Sequence, residues 1–235
     1  MNLDNKKAIV FGGTSGIGLA AACQLKDKGA NVTAVGRSEA NLEKAAAQGL
    51  NTAQLDVLDE AAMQALLAEQ GPLDVLVSAA TGGSRANGPF TKMDMDGYRG
   101  SFAKLWGYAN VVRYGAEHLA DDGAIVLVSG APARRARPGS SALASVGGAV
   151  EQLVRAVAVE IAPKRINVVS PGIIDTPMFP VEGEQRDQFL GGATKNHLIP
   201  RAGTADEVAQ AILFTLENDF VTGTTVDVDG GWLLT

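Results

Sequence analysis

Short runs of consecutive apolar residues alternate with longer segments of helical spacing along the whole chain. The runs are rich in Val and Ile, and unbroken apolar runs are typical of strands in a parallel sheet that helices cover on both faces. The pattern predicts six or seven strands, with candidates at Ala8–Phe11, Val32–Val35, Thr52–Leu55, Val75–Val77, Ile125–Val128, Ile166–Val169 and Thr225–Val228. Apolar positions three and four residues apart predict helices at Ile17–Lys28, Glu39–Gln48, Glu60–Glu69, Asp96–Leu119, Ser141–Ile161 and Ala205–Glu217.

Strands that alternate with helices of this length predict an α/β fold, namely a Rossmann-type doubly wound parallel sheet of about seven strands. The 235 residues contain no recognisable linker, so we expect residues 1–235 to form a single domain. In such a sheet the ligand binds in the crevice beyond the carboxyl ends of the strands.

Two stretches interrupt this alternation. Residues 80–91 are rich in Gly and Pro, and residues 171–201 contain four prolines and a Gly-Gly pair. We therefore expect a substrate loop or lid near residues 176–201. Farther along, Thr204 followed by Glu207 predicts a capping box at the start of the last helix.

The composition argues against several classes of function. Apolar residues make up 46 %, enough for a large core, and the formal net charge of −6 disfavours a nucleic-acid partner. The first seven residues are polar and no apolar run approaches the length of a membrane span, so neither a signal peptide nor a membrane anchor is expected. The single cysteine, Cys23, is expected to be a buried thiol, and a cytoplasmic location fits all of these features. His118 and His197 lack a matching carboxylate cluster, so no metal site is expected.

A glycine-rich segment links the first predicted strand to the first predicted helix. Glycines at this place permit a tight turn and let the backbone approach a pyrophosphate, which the amino end of the helix then binds through its N–H groups and dipole. The sequence therefore predicts a dinucleotide site. The residues expected to form it are Gly12, Thr14, Ser15, Gly16, Ile17 and Gly18.

The end of the second predicted strand indicates which dinucleotide is preferred. A site selective for NAD carries Asp or Glu there to accept hydrogen bonds from the ribose hydroxyls. This chain has Arg37 and Ser38 instead. The planar donor fork of Arg37 suits a 2′-phosphate, and Ser38 adds a hydroxyl donor. We therefore expect NADP(H) to be preferred over NAD(H).

Together with several later segments, these residues resemble the short-chain dehydrogenase/reductase family over essentially the full length of the chain. The glycine loop matches the family's Gly-x-x-x-Gly-x-Gly, with Phe11 where Thr is usual. The resemblance implies that Asp56 contacts the adenine amino group and that the backbone N–H of Val57 supports the ring. It also implies a homodimer or homotetramer built on the two long helices.

Two further segments complete the cofactor site that the resemblance implies. The segment after the fourth strand supplies Ser78, Ala79 and Ala80, although both family Asn residues are replaced there. The Pro-Gly-x-x-x-Thr segment that holds the nicotinamide carboxamide in the family supplies Pro171, Gly172, Ile174 and Thr176.

The same comparison places residues that cannot transfer a proton at the family's catalytic positions. Leu143 stands at the Tyr position, Gly147 at the Lys position and Gly130 at the Ser position, with Ser129 retained one residue earlier. Lys104 stands at the Asn position of the preceding long helix. We expect Lys104 to use the space that Gly147 vacates and to contact the ribose or polarise a substrate oxygen.

Other polar residues are weaker candidates for catalysis. Ser129 is kept as a catalytic candidate, although one step along a strand turns its side chain to the other face. A single loop histidine such as His197 is more often just exposed. The clustered Arg134, Arg135 and Arg137 are expected to be solvated.

Three functions remain open on the sequence. The first is an NADP(H)-dependent oxidoreductase acting on a small-molecule carbonyl, alcohol or imine with relocated proton transfer. The second is an enzyme that binds NADP(H) and catalyses a non-redox reaction such as isomerisation or cyclisation. The third is a catalytically silent subunit that responds to NADP(H). The fold cannot choose among them, because function resides in the site. The resemblance to a family of oxidoreductases makes the first the expected function.

Overall fold

The computed structural model describes residues 1–81 and 85–235, so part of the irregular stretch expected at 80–91 lies outside the described residues. The strands are β1 (Lys7–Phe11), β2 (Asn31–Gly36), β3 (Asn51–Gln54), β4 (Leu73–Ser78), β5 (Leu119–Val128), β6 (Arg165–Pro171), β7 (Ile174–Asp175), β8 (Gly203–Thr204) and β9 (Thr225–Val228). Seven of them form one parallel sheet in the order β3-β2-β1-β4-β5-β6-β9, and β7 pairs with β8 separately. The expected doubly wound parallel sheet is confirmed.

Helices cover both faces of this sheet. They are α1 (Gly16–Asp27), α2 (Glu39–Ala47), α3 (Glu60–Gln70), α4 (Met95–Ser101), α5 (Ala103–His118), α6 (Ser141–Glu160), α7 (Gly183–Thr194) and α8 (Ala205–Glu217). Residues of α1, α2 and α8 share one apolar cluster with the strands, and residues of α3, α5 and α6 share a second. Alternate strand residues supply the two clusters, because successive side chains point to opposite faces of a sheet.

The helix predicted at Asp96–Leu119 is wrong in its extent, because two helices occupy the segment. The Asp94 carboxylate accepts hydrogen bonds from the backbone N–H groups of Asp96 and Gly97 and so begins α4 one residue earlier. Phe102 then separates α4 from α5. The local capping bonds outweigh the continuous apolar spacing on which the prediction relied.

Residues 176–201 are not the irregular loop that their Gly and Pro content predicts. They contain α7, which includes the Gly-Gly pair and is held down by buried Leu190. Arg186 on this helix pairs with Asp175 and donates to the carbonyl oxygens of Thr176 and Phe179 at 2.8 and 2.9 Å. Several bonds from one arginine to the turn before α7 thus order a segment that its composition leaves undetermined.

Other local expectations have mixed outcomes. The capping box of Thr204 and Glu207 is present at α8. Cys23, expected to be buried, is partly exposed although it packs against the α1 side of the core.

Helix α6 bears on the expectation that no apolar run approaches the length of a membrane span, and the charged residues Glu151, Arg155 and Glu160 interrupt it. Within the described chain, α6 alone is long and apolar enough by length and composition to cross a membrane. The same properties suit a helix that packs on a sheet, and Val146, Val150 and Val154 of α6 are buried in that way.

Candidate active site

The crevice lies beyond the carboxyl ends of β1 and β4, where the strand order reverses. A Cβ on Gly12 would lie 2.6 Å from the Ala80 nitrogen, and Gly12 has a φ of +74°. The Ala79 N–H donates to the Phe11 carbonyl oxygen at 2.9 Å. Glycine at position 12 therefore allows the two strand ends to approach each other.

The loop after β1 turns sharply into α1. A Cβ on Gly18 would collide with the Gly12 carbonyl oxygen, so this turn requires a glycine there. Ser15 is the N-cap residue of α1, and its side chain makes no capping hydrogen bond. The first N–H groups of a helix have no intrahelical partner, so the start of α1 presents donors and a positive dipole to an anion.

Two of the predicted loop residues hold the loop in place. The Thr14 side chain is buried and fills the space above Gly36, where a Cβ would collide with it. The Ile17 side chain packs against the apolar core on the α1 side. These residues therefore shape the loop, and their backbone rather than their side chains is available to a ligand.

The loop after β1 faces the segment after β6 across the crevice. A Cβ on Gly16 would lie 3.5 Å from the Thr176 Cβ. Thr176 and Ile174 are buried beside it. The structure thus brings together two of the segments predicted to bind the cofactor.

Pro171 and Gly172 are held at the end of β6 by β9. The Gly172 N–H donates to the Val228 carbonyl oxygen at 3.0 Å, and Pro171 pairs with the same residue in the sheet. A Cβ on Gly172 would lie 2.8 Å from the Asp229 Cα, so the close approach to the last strand needs a glycine.

Arg37 and Asp56 meet at the ends of β2 and β3. The Arg37 Nη1 lies 3.4 Å from the Asp56 Oδ2, and both side chains are exposed. Exposed ion pairs are weak, so the guanidinium can turn toward another anion at little cost. Ser38 is the N-cap residue of α2 and makes no side-chain capping bond, which leaves its hydroxyl available beside Arg37.

Val57 connects the end of β3 to α5. Its carbonyl oxygen accepts from the Asn110 Nδ2 at 3.0 Å, and its side chain occupies the space beside Gly107. Val57, which is predicted to support the adenine ring, is therefore fixed to the helix that also carries Lys104.

Lys104 projects from α5 toward the end of β5. Its Nζ donates to the Ser129 carbonyl oxygen at 3.2 Å and lies 5.3 Å from the centre of the Tyr108 ring. Tyr108 is fully buried, and its hydroxyl donates to the Val128 carbonyl oxygen at 2.9 Å. Because residues four apart lie on the same face of a helix, the Tyr108 ring lies beneath the Lys104 ammonium.

The electrostatics of this region disfavour a charged lysine. Burial, together with repulsion from the Arg85 guanidinium, lowers the pKa of Lys104 to about 7. Burial raises the pKa of Tyr108 well above its usual range, so the phenol stays neutral. Near neutral pH, Lys104 is therefore a group that can both hold and release a proton.

Ser129 is buried, and its hydroxyl donates to the Gly147 carbonyl oxygen at 3.2 Å. Ser129 thus accepts a hydrogen bond from Lys104 at its backbone carbonyl oxygen, while its side-chain hydroxyl donates to the backbone of α6.

The space expected to be left by Gly147 is already filled. A Cβ on Gly147 would lie 2.9 Å from the Ala133 Cβ and 3.2 Å from the Ser129 Oγ. The Cβ position of Gly147 is therefore closed, and the expectation that Lys104 uses the space beyond it stays a prediction. Gly130 has more room than Gly147, because a Cβ on Gly130 would lie 3.5 Å from Pro132, which is an ordinary van der Waals distance. Leu143 is partly exposed at the start of α6.

His197 differs from the sequence expectation, because it is buried, stacks on Trp232 with a ring separation of 5.6 Å, and has its pKa lowered by burial. In the arginine cluster, Arg134 and Arg137 are exposed as expected, and Arg135 is partly buried. Arg134 also pairs with Glu151 and Asp227, and the Arg135 guanidinium lies over the Trp232 ring. These contacts fasten the chain end to the turn after β5.

Sequence reasoning missed Arg85 and Tyr108. Tyr108 could have been found, because it lies one helical turn beyond Lys104. Arg85 gave no signal, since it lies in a stretch that periodicity cannot fold.

Residues 12–233 match the family described as Enoyl-(Acyl carrier protein) reductase. The chain is 30 % identical to L-xylulose reductase of Bos taurus over 246 residues, covering 100 % of this chain and 99 % of the relative.

Solved structures are similar over the same extent. A small-chain dehydrogenase in complex with NADPH has a TM-score of 0.85 at 29 % identity, covering 99 % of this chain and 100 % of that one. The Reductase/Diels-Alderase MalC from Malbranchea aurantiaca has a TM-score of 0.89 at 26 % identity, covering 99 % of this chain and 98 % of that one.

The contact of Gly147 with Ala133 leads to a test by substitution. Gly147→Ala is expected to lower the free energy of unfolding by about 1–3 kcal/mol, because the added methyl overpacks a closed contact. Gly148→Ala on the same helix is the control. It has no atom within 4 Å of the new Cβ and is expected to be neutral or stabilising by up to about 1 kcal/mol. Urea denaturation measures both, and equal effects would show that the contact is not tight.

Proposed function

The chain belongs to the short-chain dehydrogenase/reductase family, and from this we propose that it is an NADP(H)-dependent oxidoreductase in which Lys104 supplies the proton. The substrate is a small-molecule carbonyl or imine in one direction and the corresponding alcohol or amine in the other. The observation that carries the proposal is the Lys104 ammonium on the Ser129 carbonyl oxygen, with a pKa of about 7, in the crevice of an oxidoreductase fold.

The residues of the crevice fit a phosphorylated dinucleotide. Gly12 and Gly18 permit the tight turn from β1 into α1, and the start of α1 offers N–H donors for the diphosphate. Arg37 and the Ser38 hydroxyl, which makes no capping hydrogen bond, suit the 2′-phosphate. The similarity to a small-chain dehydrogenase in complex with NADPH supports the same choice.

The proposed roles of the chain's own residues follow from their contacts. When bound, the reduced nicotinamide supplies a hydride to the carbonyl carbon. Lys104 donates its proton to the carbonyl oxygen, becomes a neutral amine and regains a proton from water. A donor whose pKa is close to the working pH is the most effective general acid. The Ser129 carbonyl oxygen positions the ammonium, and we assign Ser129 this positioning role because its hydroxyl is bonded to Gly147.

A non-redox reaction in the same crevice is the second candidate. The Tyr, Lys and Ser positions are replaced by Leu143, Gly147 and Gly130. The similarity to MalC, which is described as both reductase and Diels-Alderase, favours cyclisation as the alternative. In that case the crevice would bind NADP(H) without oxidising it, as a silent subunit would also do.

The outer faces of the long helices support the proposed homodimer or homotetramer. Trp106 on α5 and Val159 on α6 are 60 % and 82 % exposed. Large apolar side chains exposed in this way are commonly covered by a partner. Sedimentation velocity, which measures the mass in solution, tests this proposal, and a monomer would contradict it.

The role of Lys104 is tested by substitution. Lys104→Met is expected to lower the turnover number by roughly 10²–10⁴, the usual worth of a general acid, with NADPH affinity retained. Lys164→Met is the control. Lys164 also donates to a backbone carbonyl oxygen, that of Ala116 at 2.8 Å, but it lies at the opposite end of the sheet. Steady-state NADPH oxidation with a panel of carbonyls and imines measures both variants. Unchanged turnover in Lys104→Met would reject the proton-donor role. Tight NADPH binding without oxidation by any compound would favour the non-redox candidate.

The lowered pKa of Lys104 predicts the pH dependence of reduction. Carbonyl reduction needs the ammonium form, which predominates below a pKa of about 7. Because kcat/KM reports the pKa values of the free enzyme, kcat/KM for reduction should be level in acid and fall about tenfold per pH unit above that value. A reduction rate that rises through pH 7 would contradict this assignment.

Cofactor preference is tested at Arg37. Arg37→Gln is expected to weaken NADPH binding roughly 10- to 100-fold, the worth of hydrogen bonds to a charged group, and to leave NADH binding nearly unchanged. Arg113→Gln, which removes a similarly exposed arginine paired with Glu117 on α5, is the control. Titration of cofactor fluorescence measures the affinities, and equal affinity of the parent protein for both cofactors would defeat the NADP(H) assignment.

A further inference from the structure

Arg85 reaches across the crevice from the segment that follows β4. Its Nη1 lies 2.8 Å from the Sδ of Met178, which follows Thr176 on the opposite wall. A thioether sulfur is a weak acceptor, so it satisfies one donor poorly and leaves the remaining guanidinium donors unused by this contact. Arg85 remains accessible to solvent and hence to a ligand.

Arg85 and Lys104 form a pair of cations without a counterion. Among residues 1–81 and 85–235, no carboxylate lies within 4 Å of either charged group. Other arginines bordering the crevice are neutralised differently, since Arg134 pairs with Asp227 and Arg186 pairs with Asp175. The positive charge is thus concentrated at Arg85 and Lys104.

The two cations act on each other, because repulsion by Arg85 adds to the effect of burial in lowering the pKa of Lys104. Like charges in a partly desolvated crevice repel each other strongly, and an anion between them removes this penalty. Guanidinium groups bind planar oxyanions through two parallel hydrogen bonds.

We propose that the substrate carries an oxyanion, a carboxylate or a phosphate, that Arg85 binds beside Lys104. This inference rests on the proposed function only in calling the ligand a substrate. Arg85 then selects an anionic compound, while Lys104 donates its proton to the neighbouring carbonyl oxygen.

The bound oxyanion also changes the state of the lysine. The groups that face Lys104 in the described residues are Arg85 from the segment after β4, Tyr108 from its own helix and the Ser129 carbonyl oxygen from the end of β5. Of these only Arg85 is charged, and an anion on Arg85 offsets its repulsion. The pKa of Lys104 therefore rises when an anionic ligand binds, and this keeps the lysine protonated as the proton donor.

Binding to the NADP⁺ complex tests the proposal without requiring turnover. The probes are 2-oxobutyrate with its amide, and dihydroxyacetone phosphate with dihydroxyacetone, each titrated by calorimetry. We expect the member of a pair that carries the oxyanion to bind at least tenfold more tightly. Preference within the first pair identifies a carboxylate, and preference within the second a phosphate. Equal affinity within both pairs would overturn the proposal.

Variants locate the effect at Arg85. Arg85→Gln is expected to abolish the preference for the charged probe, and Arg85→Lys to retain part of it, because the charge remains but the planar fork is lost. Arg99→Gln is the control, since Arg99 pairs with Asp96 on the surface of nearby α4. A preference that survives in Arg85→Gln would overturn the assignment.

The outcomes separate this inference from the proposed function. If the oxyanion probe binds through Arg85 but NADPH oxidation occurs with no compound, the oxidoreductase proposal fails and the anion site stands. If neutral and anionic carbonyls are reduced equally well, the oxidoreductase proposal stands and the anion site fails.

Discussion

The contact between α6 and the turn after β5 sets the geometry of the whole catalytic crevice. Because Gly147 has no side chain, Ala133 and the Ser129 hydroxyl lie where a longer residue would begin. The Ser129 hydroxyl is thereby drawn to the Gly147 carbonyl oxygen, and the Ser129 backbone oxygen accepts from Lys104. The close packing of these two elements thus fixes the carbonyl oxygen that accepts from the Lys104 ammonium.

Charge then determines how that ammonium behaves. Lys104 lies over a neutral tyrosine and near an arginine, without a carboxylate partner in the described chain. Desolvation and repulsion act in the same direction, and both favour the neutral amine. A crevice arranged in this way is suited to an anionic ligand, whereas carboxylates around the lysine would have kept it permanently charged.

Repeated local signals made much of the fold predictable. Helix α8 and strand β9 have the predicted bounds, because a capping box begins the former and a Val-rich run defines the latter. The break between α4 and α5 was missed, since the capping bonds of Asp94 compete with an unbroken apolar pattern. Helix α7 was missed because its stability comes from Arg186 and Asp175, which are brought together only by the folded chain.

The sequence by itself determined the doubly wound sheet and the glycine turn with Arg37 beside it. Periodicity, glycine content and residue type are local properties, so they can be interpreted without coordinates. Only the tertiary structure decided that the space beside Gly147 is closed, that Ser129 faces α6, and that Arg85 reaches toward Met178 near Lys104. Such contacts join residues distant along the chain, and their energies depend on burial and distance, which no local pattern specifies.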